Sequence, residues 1–376
     1  MAPFGALAPG LPLSQWEGTM KKYLSSAVAL AVAVTATLTL SAGPAHAGDP
    51  AAQSARWLNK QITDGLVHND QFDFDDYGLS IDVGIALGEL ELPKSAKQVS
   101  KALAANIDSY TTGADFMSND IYANATAKAA AFAQVTGADP SKFGGVDLVA
   151  RLSKRVINKA PSAGRIQDKG ADDFANVIGQ AYAVQALTIA GAKKAGKATT
   201  FLLAQQCKAG YFRLNFTEKK TAKDQTCDGG KRKTTSAPDT DATALAVLSL
   251  LELPAPRGAL VNKAVTKAVA WLVKTQAKNG SFGGGASTEA PNANSTGLAA
   301  RALASSGKCA QANKAVSWLG KLTVTDVSGE NGAIAYDKAA LATAQDGISD
   351  DERDQFIRAT AQAAPALAVL VINPCE

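Results

Sequence analysis

The sequence predicts an all-α fold, a closed α/α toroid (an α6/α6 barrel) of about twelve helices arranged as six helical hairpins. Three observations lead to this prediction. A unit of helix, glycine turn and alanine-rich helix recurs through residues 50–372. The first helix of each unit mixes charged with apolar residues, whereas the second is apolar or small at nearly every position. Six buried helices inside six amphipathic ones form a closed ring; an open helical solenoid is the alternative.

The fifth unit shows the pattern most clearly. Its first helix contains residues 270–276, its turn contains residues 279–284, and its second helix contains residues 292–303. In the other units the first helix is centred, in chain order, on Trp57, Ile107, residues 148–152, residues 201–206 and Trp318. The second helices of these units are predicted over residues 79–90, 123–133, 175–190, 242–251 and 356–371.

Hydrophobic patterning indicates which helices lie inside the ring. Residues 243–251 are almost all apolar or small, so this helix has no face for water and is predicted to be buried all round. Residues 181–190 and 298–304 follow the same pattern. The first helices carry lysines beside apolar residues, as Lys267 and Lys274 do in the fifth unit. Abundant alanine lets neighbouring helices approach closely and has the highest helix propensity.

Several elements of the fifth unit resemble a known repeat. They are Trp271-Leu272 followed by Gln276, then Gly280-x-Phe282-Gly283, then Asn294-x-Thr296. This pattern is similar to the prenyltransferase and squalene-oxidase repeat of terpene cyclases and protein prenyltransferase β subunits, here in a secreted, actinobacterial type. The resemblance covers nearly all of residues 50–372 and implies the α6/α6 barrel. It does not define an activity, because one fold carries many functions.

The N-terminal segment predicts export. Residues 1–19 are rich in Pro and Gly and precede a better start at Met20, so we expect an over-extended gene start. A signal peptide is predicted from Met20 to Ala47, with a basic start, an apolar stretch at residues 27–40 and an Ala-x-Ala cleavage site. That stretch is too short for a transmembrane anchor. Residues 48–376 are therefore expected to form one secreted toroid domain.

Four cysteines agree with an exported protein. Of the three possible connectivities, Cys207–Cys227 and Cys309–Cys375 is the most economical. The first pair closes a loop of about twenty residues, a link worth roughly 3 kcal/mol in the chain-entropy model. The second ties the last helix to the ring. A metal site is the alternative, but the chain has no Cys-x-x-Cys pair and no Cys/His cluster, so we expect neither a metal nor a cofactor.

Charge limits the range of partners. The formal net charge of +4 gives no dedicated nucleic-acid surface. Lysines and an arginine cluster around Cys227, at residues 219–220 and 231–233, either as a solvated loop or as a contact for an anionic envelope polymer such as a teichoic acid. We expect a monomer that binds an unidentified small molecule or an envelope polymer, without a transmembrane anchor.

The segment Asp73-Phe74-Asp75-Asp76 matches the Asp-x-Asp-Asp motif of class II terpene cyclases. The resemblance implies that Asp75 donates a proton to an alkene, with Asp73 and Asp76 beside it. Such a donor is a carboxylic acid kept protonated in a dry pocket lined by aromatic rings. The alternative is that Asp75 or Asp76 caps the helix that begins near Tyr77. The polar surroundings of the motif and an aromatic content of only 6% favour the cap.

Polar residues also precede the other inner helices. They are Asp120, Asp172, Asp173, Asp239, Asp241 and Asn294. Carboxylates are stabilised at helix N-termini, typically by about 0.3–1 kcal/mol each. Because the inner N-termini converge at one mouth of a toroid, we expect an acidic rim there. Such a rim suits a calcium ion or a cationic or hydroxylated ligand, and two of its carboxylates are suited to act as acid and base in a glycosidase or lyase.

The residues that other activities of related folds require are absent from this sequence. Prenyltransferase β subunits hold zinc with Asp, Cys and His, but His68 is the only histidine after residue 47. The Cys-Gly-Glu-Gln sequence of complement thioester domains is absent. We therefore predict a non-catalytic ligand-binding or structural module at the cell envelope. The alternative is an enzyme, either a terpene cyclase using the Asp73–Asp76 motif or a glycan-active hydrolase or lyase.

Overall fold

Six helices surround the axis of the structure and six more surround those, so the predicted α/α toroid is confirmed. The computed structural model describes residues 49–229 and 236–372. The predicted gene-start segment, the signal peptide from Met20 to Ala47, and Cys375 lie outside the described residues. Among the residues described, no helix combines the length and apolar character needed to span a lipid bilayer.

The helices follow the predicted alternation of outer and inner elements. In chain order they are α1 (Pro50–Lys60), α2 (Tyr77–Glu89), α3 (Pro93–Ala105), α4 (Ile107–Thr111), α5 (Ala123–Val135), α6 (Leu148–Arg155), α7 (Val177–Ile189), α8 (Ala195–Ala204), α9 (Thr240–Leu251), α10 (Ala259–Thr275), α11 (Ala293–Ala304), α12 (Cys309–Leu319), α13 (Lys338–Thr343) and α14 (Asp350–Ile372). Two short strands, β1 (His68–Asn69) and β2 (Phe74–Asp75), pair antiparallel before α2. Helices α2, α5, α7, α9, α11 and α14 are inner, whereas α1, α3, α6, α8, α10 and α12 are outer.

The ring is closed rather than open. Each inner helix packs on the next, and α14 packs both on α2 and on α1. One predicted element is misplaced: the outer helix of the second unit is α3, not a helix centred on Ile107, which begins the short helix α4. Pro93 at the first turn of α3 starts that helix earlier, and its buried residues Val99 and Leu103 face the core.

In five of the six units a repeated hydrogen bond joins the turn to the inner helix that follows it. In the fifth unit the Thr296 hydroxyl accepts the Phe282 amide at 3.0 Å. The equivalent pairs are Ser80 with Val67, Gln180 with Ile166, Thr243 with Phe212 and Thr360 with Ile334. These acceptors define equivalent positions in the inner helices and satisfy buried amides that lack a helical partner.

A second repeated contact joins the turn to the outer helix of the next unit in five of the six units, through Gly65, Gly164, Gly210, Gly280 and Gly332. A Cβ at Gly280 would lie 2.2 Å from the carbonyl oxygen of Lys314 in α12, so only glycine permits this approach. The Gln276 amide donates to the carbonyls of Gly280 at 3.0 Å and of Gln311 in α12 at 2.9 Å. Gln206 does the same for Gly210 and Ala264 at the preceding junction. The glutamine and glycine of the repeat are thus residues that link neighbouring units.

The same contact closes the ring between the last unit and the first. The backbone of Gly332 lies against Gln53 in α1, and the Ser54 hydroxyl donates to the Gly332 carbonyl at 2.7 Å. Nearby, the Trp57 indole donates to the Glu330 carboxylate at 2.7 Å, and Arg353 of α14 pairs with Glu330 at 3.0 Å. These contacts join the last unit to the first.

One of the two predicted disulfides is confirmed. Cys207 and Cys227 are bonded and restrain the loop between α8 and α9. The pairing of Cys309 with Cys375 stays a prediction, because Cys375 lies outside the described residues.

Replacing Gly332 tests the closing contact. Gly332 and Gly329 both have positive φ (+98° and +85°), so alanine costs about 1 kcal/mol of backbone strain at either position. Only at Gly332 does the added Cβ also meet backbone, 2.4 Å from the Gln53 carbonyl carbon, whereas at Gly329 nothing lies within 4 Å. In urea unfolding we expect Gly332→Ala to lose at least about 1–3 kcal/mol more than Gly329→Ala. Equal losses would contradict the closing role.

Candidate functional site

The centre of the toroid contains a cavity of about 420 Å³, to which all six inner helices contribute. We call it the axial cavity. It lies along the middle and C-terminal parts of most inner helices, with Ile178 added from the first turn of α7, and Glu89, Val135 and Glu252 lie at its C-terminal end. Its apolar walls include Ile85, Phe132, Leu245, Leu248 and Leu298. Concave, mostly apolar sites with a few polar groups are typical binding sites for small molecules.

Two ion pairs between inner helices cross this cavity. Lys128 of α5 pairs with Asp82 of α2 at 2.7 Å and also donates to the Gly78 carbonyl at 2.9 Å. Arg301 of α11 pairs with Glu89 of α2. Because a buried charge is tolerated when it is paired and hydrogen-bonded, these pairs place polar groups in the cavity without adding net charge.

Neutral polar groups complete the lining. Burial raises the pKa of Tyr182 well above its usual range, and the charges of Asp82 and Glu89 act in the same direction, so its phenol stays protonated. Gln185, one turn further along α7, is only 5% exposed and lines the cavity. Among the hydrogen bonds of the described residues, none involves the Gln185 amide. The cavity therefore offers a donor and an acceptor for an occupant.

Sequence reasoning missed the axial cavity. The prediction that residues 298–304 have no polar face is wrong at Arg301, a partly buried residue whose charge is neutralised by Glu89 of a distant unit. Asp82, Lys128 and Arg301 are charged residues inside otherwise apolar helices, and these charges were the only sequence signal of a polar cavity. Their pairing across the ring depends on the closed fold, which sequence spacing does not reveal.

The predicted cyclase motif lies on a polar turn before α2. Asp75 pairs with His68 at 3.0 Å, and the Asp73 side chain is 97% exposed. The hydrogen bond of His68 to the Asp75 carboxylate is the largest influence raising the pKa of His68. Asp76 is the N-cap of α2, since it accepts the Leu79 amide at 2.7 Å, and it also pairs with Arg358 of α14 at 3.2 Å. Asp75 thus stands beside a histidine and partly in water, not in an aromatic chamber.

Three of the predicted rim residues form a cluster at the N-termini of α9 and α11. Asp239 caps α9 through the Ala242 amide at 2.8 Å, and Asp241 lies in the first turn. Burial raises the pKa of Asp241 to about 6 and also raises that of Asp239. One carboxylate oxygen of Asp241 and the amide oxygen of Asn294 are buried without a hydrogen-bond partner among the described residues. The N-cap of α11 is Asn292, not Asn294.

The remaining rim residues lie in the loops before α5 and α7. Asp173 pairs with Arg165 at 3.1 Å and with Lys220 at 2.9 Å. Burial raises its pKa, but the Asp168 backbone amide, which donates to it, and these two cations outweigh burial, so the pKa of Asp173 falls below its usual range. Asp120 packs against Gly170, and Asp172 is exposed. Sequence reasoning missed Asp168, which accepts amides from both loops, Ala123 at 2.5 Å and Phe174 at 2.9 Å. Across residues 49–229 and 236–372, no three or more His, Cys, Asp or Glu residues are grouped to hold a metal ion.

A comparison with known protein families finds no match to the chain, and no characterised protein matches it in sequence. Solved structures match it in fold. A crystal structure of a protein from Actinoplanes has a TM-score of 0.59 at 16% identity, covering 86% of this chain and 98% of the other. The type II terpene cyclase MstE from Scytonema has a TM-score of 0.59 at 17% identity, covering 87% and 98%.

An unsaturated glucuronyl hydrolase from Bacillus sp. GL1, responsible for the degradation of glycosaminoglycan, matches with a TM-score of 0.57 at 12% identity, covering 87% and 95%. At these identities the similarity establishes the α6/α6 toroid. It does not transfer an activity.

The buried Asp241 carboxyl predicts a pH-dependent stability. Its folded pKa of about 6 exceeds the usual 3.8, so the folded state binds the proton more tightly. The resulting stabilisation is present below about pH 4 and is lost as the pH rises through about 6. We expect Asp241→Asn to be more stable than the wild type at pH 8, by about 1–3 kcal/mol, with a weaker pH dependence in thermal unfolding.

Asp172→Asn, which removes an exposed carboxylate, is the control for net charge and should leave the pH dependence unchanged. If Asp241→Asn were less stable than the wild type at every pH, the ionised Asp241 carboxylate of the wild type would instead be stabilised by its surroundings.

Proposed function

We propose that this chain is a non-catalytic binding protein whose axial cavity holds a small, largely apolar molecule with hydrogen-bonding groups. The observation that carries this proposal is Gln185, a largely buried residue whose side-chain amide makes no hydrogen bond within the described chain and lines a cavity formed by all six inner helices. A polar group of an occupant gains a hydrogen bond to this amide, worth about 0.5–1.5 kcal/mol net.

Size and charge narrow the class of ligand. A volume of about 420 Å³ suits a small organic molecule rather than a polymer chain. In the Asp82–Lys128 pair and in the Glu89–Arg301 pair the two opposite charges cancel, which favours a neutral ligand over an ion. Glu252 at the rim disfavours an anion. The sequence of residues 20–47 supports a place of action at or beyond the cell envelope as part of the same proposal.

A titration of the purified full-length protein with N-phenyl-1-naphthylamine, a neutral apolar fluorophore with one N–H donor, tests the cavity. We expect saturable binding by the wild type. Gln185→Leu removes the hydrogen-bonding group at nearly constant volume and should weaken binding about tenfold, the equivalent of about 1.4 kcal/mol. Gln98→Leu makes the same change on the exposed side of α3 and should bind as the wild type does.

The cavity proposal fails if the wild type shows no saturable binding, or if both leucine variants bind the fluorophore equally well. The thermal midpoints of all three proteins, measured in parallel, establish that each variant is folded.

A glycan-active enzyme is the second candidate, and Asp241 favours it. A carboxyl with a pKa of about 6 and an unpaired oxygen is suited to act as a general acid, with Asp239 as a second carboxylate beside it. The same fold is found in the glucuronyl hydrolase. Release of reducing ends from neutral and uronate-containing oligosaccharides tests this reading. Turnover that Asp241→Asn abolishes and Asp172→Asn retains would establish the enzyme; no turnover by the wild type leaves binding as the function.

Cyclisation through Asp73, Asp75 and Asp76 receives less support from the geometry. Asp75 lies beside His68, which accepts a proton more readily than an alkene does. Asp76 already accepts the Leu79 amide as the N-cap of α2 and pairs with Arg358. The direct assay is conversion of squalene or geranylgeranyl diphosphate, with Asp75→Asn as the matched variant. We expect no conversion by either protein.

A further inference from the structure

One face of the toroid exposes large apolar side chains. Of the eight large apolar residues that are strongly exposed in the described chain, five lie on the loops before α2, α5 and α7. They are Phe72 (68%), Phe74 (46%), Phe116 (76%), Met117 (98%) and Phe174 (74%). Such clustering marks interaction surfaces, whereas apolar residues scattered singly need no explanation.

These three loops adjoin one another. Tyr77, after the first loop, packs edge-on against Tyr110, before the second, with ring centroids 6.3 Å apart. The Ile121 amide donates to the Lys169 carbonyl at 2.9 Å, and the Asn124 side chain donates to the Phe174 carbonyl at 3.0 Å. The second loop is thus tied to both of its neighbours. The five side chains belong to one continuous surface.

Exposed carboxylates are interspersed with these apolar residues. They are Asp70 and Asp73 on the first loop, Asp115 on the second and Asp172 on the third. The basic side chains of the same loops are His68, already engaged with Asp73 and Asp75, Arg165, which pairs with Asp173, and Lys159 and Lys169, against ten aspartates on these loops. This surface is therefore acidic although the chain as a whole carries a net charge of +4. We call it the acidic apolar face.

Two loop tips are held in an uncommon backbone conformation. Asp73, between Phe72 and Phe74, has φ +53°, and Met117 has φ +54°. Non-glycine residues in this region are strained, and such strain persists only where the surroundings fix it. Asn69 fixes the first tip by accepting the Phe72 amide at 3.0 Å. The exposed side chains therefore lie on turns of defined backbone conformation.

We propose that the acidic apolar face docks a partner protein through a basic segment that also carries apolar side chains. The phenylalanine and methionine side chains are the anchors, and the four carboxylates match Lys or Arg of the partner. Acidic character disfavours anionic lipid and nucleic acid. The face lies at the N-terminal ends of the inner helices, whereas the cavity rim with Glu89, Val135 and Glu252 lies at C-terminal helix ends, so docking leaves this rim free.

The test uses an eighteen-residue amphipathic peptide of Lys and Leu as the probe, titrated into the full-length protein by calorimetry. We expect saturable binding at one site that weakens with added salt. Phe116→Ser with Met117→Ser should weaken binding at least tenfold. Asp115→Asn with Asp172→Asn should weaken it and reduce the salt dependence. Leu260→Ser, which removes a 72% exposed apolar side chain from α10, is the matched control and should leave binding unchanged.

Four outcomes would overturn the proposal. The first is no binding, and the second is an equal loss in Leu260→Ser and in the double serine variant. The third is equal affinity for a Glu/Leu peptide of the same pattern, because charge would then play no part. The fourth is binding to neutral phosphatidylcholine vesicles that the double serine variant abolishes, which would assign the face to a lipid surface.

Discussion

The fold depends on the close contact between a glycine turn and the outer helix of the following unit, which five of the six units make. At Gly280 the turn approaches the α12 backbone so closely that no side chain fits, and Gln276 bridges the same two segments with one amide group. Repetition of this contact sets the rotation from one unit to the next. Gly332 makes the same contact with α1, so six units close into a ring.

Ring closure explains the composition of the inner helices. Their residues pack against two neighbouring inner helices and an outer one, and small side chains such as alanine permit this packing. The helices do not meet fully on the axis, where the axial cavity lies. Residues that face this cavity are released from the requirement to be apolar. Asp82, Lys128 and Arg301 occupy such positions, each paired with a residue of another helix.

The sequence predicted the fold well because its signals are local. Apolar periodicity, turn glycines and capping residues each act within one unit, and the inner helices appear close to where the pattern places them. The Cys207–Cys227 bond was predictable for the same reason. The site was not, because its contacts join different units. Arg301 and Glu89 are 212 residues apart, and Asp168 caps a helix that begins 45 residues earlier.

The ligand-binding claim is tested most directly by a crystal structure of the protein with N-phenyl-1-naphthylamine bound. The account predicts the fluorophore inside the axial cavity, with its amine at hydrogen-bonding distance from Gln185 and its rings against Leu248 and Leu298. A fluorophore bound instead at the Asp241 and Asn294 cluster, or a cavity filled by rearranged side chains, would contradict it.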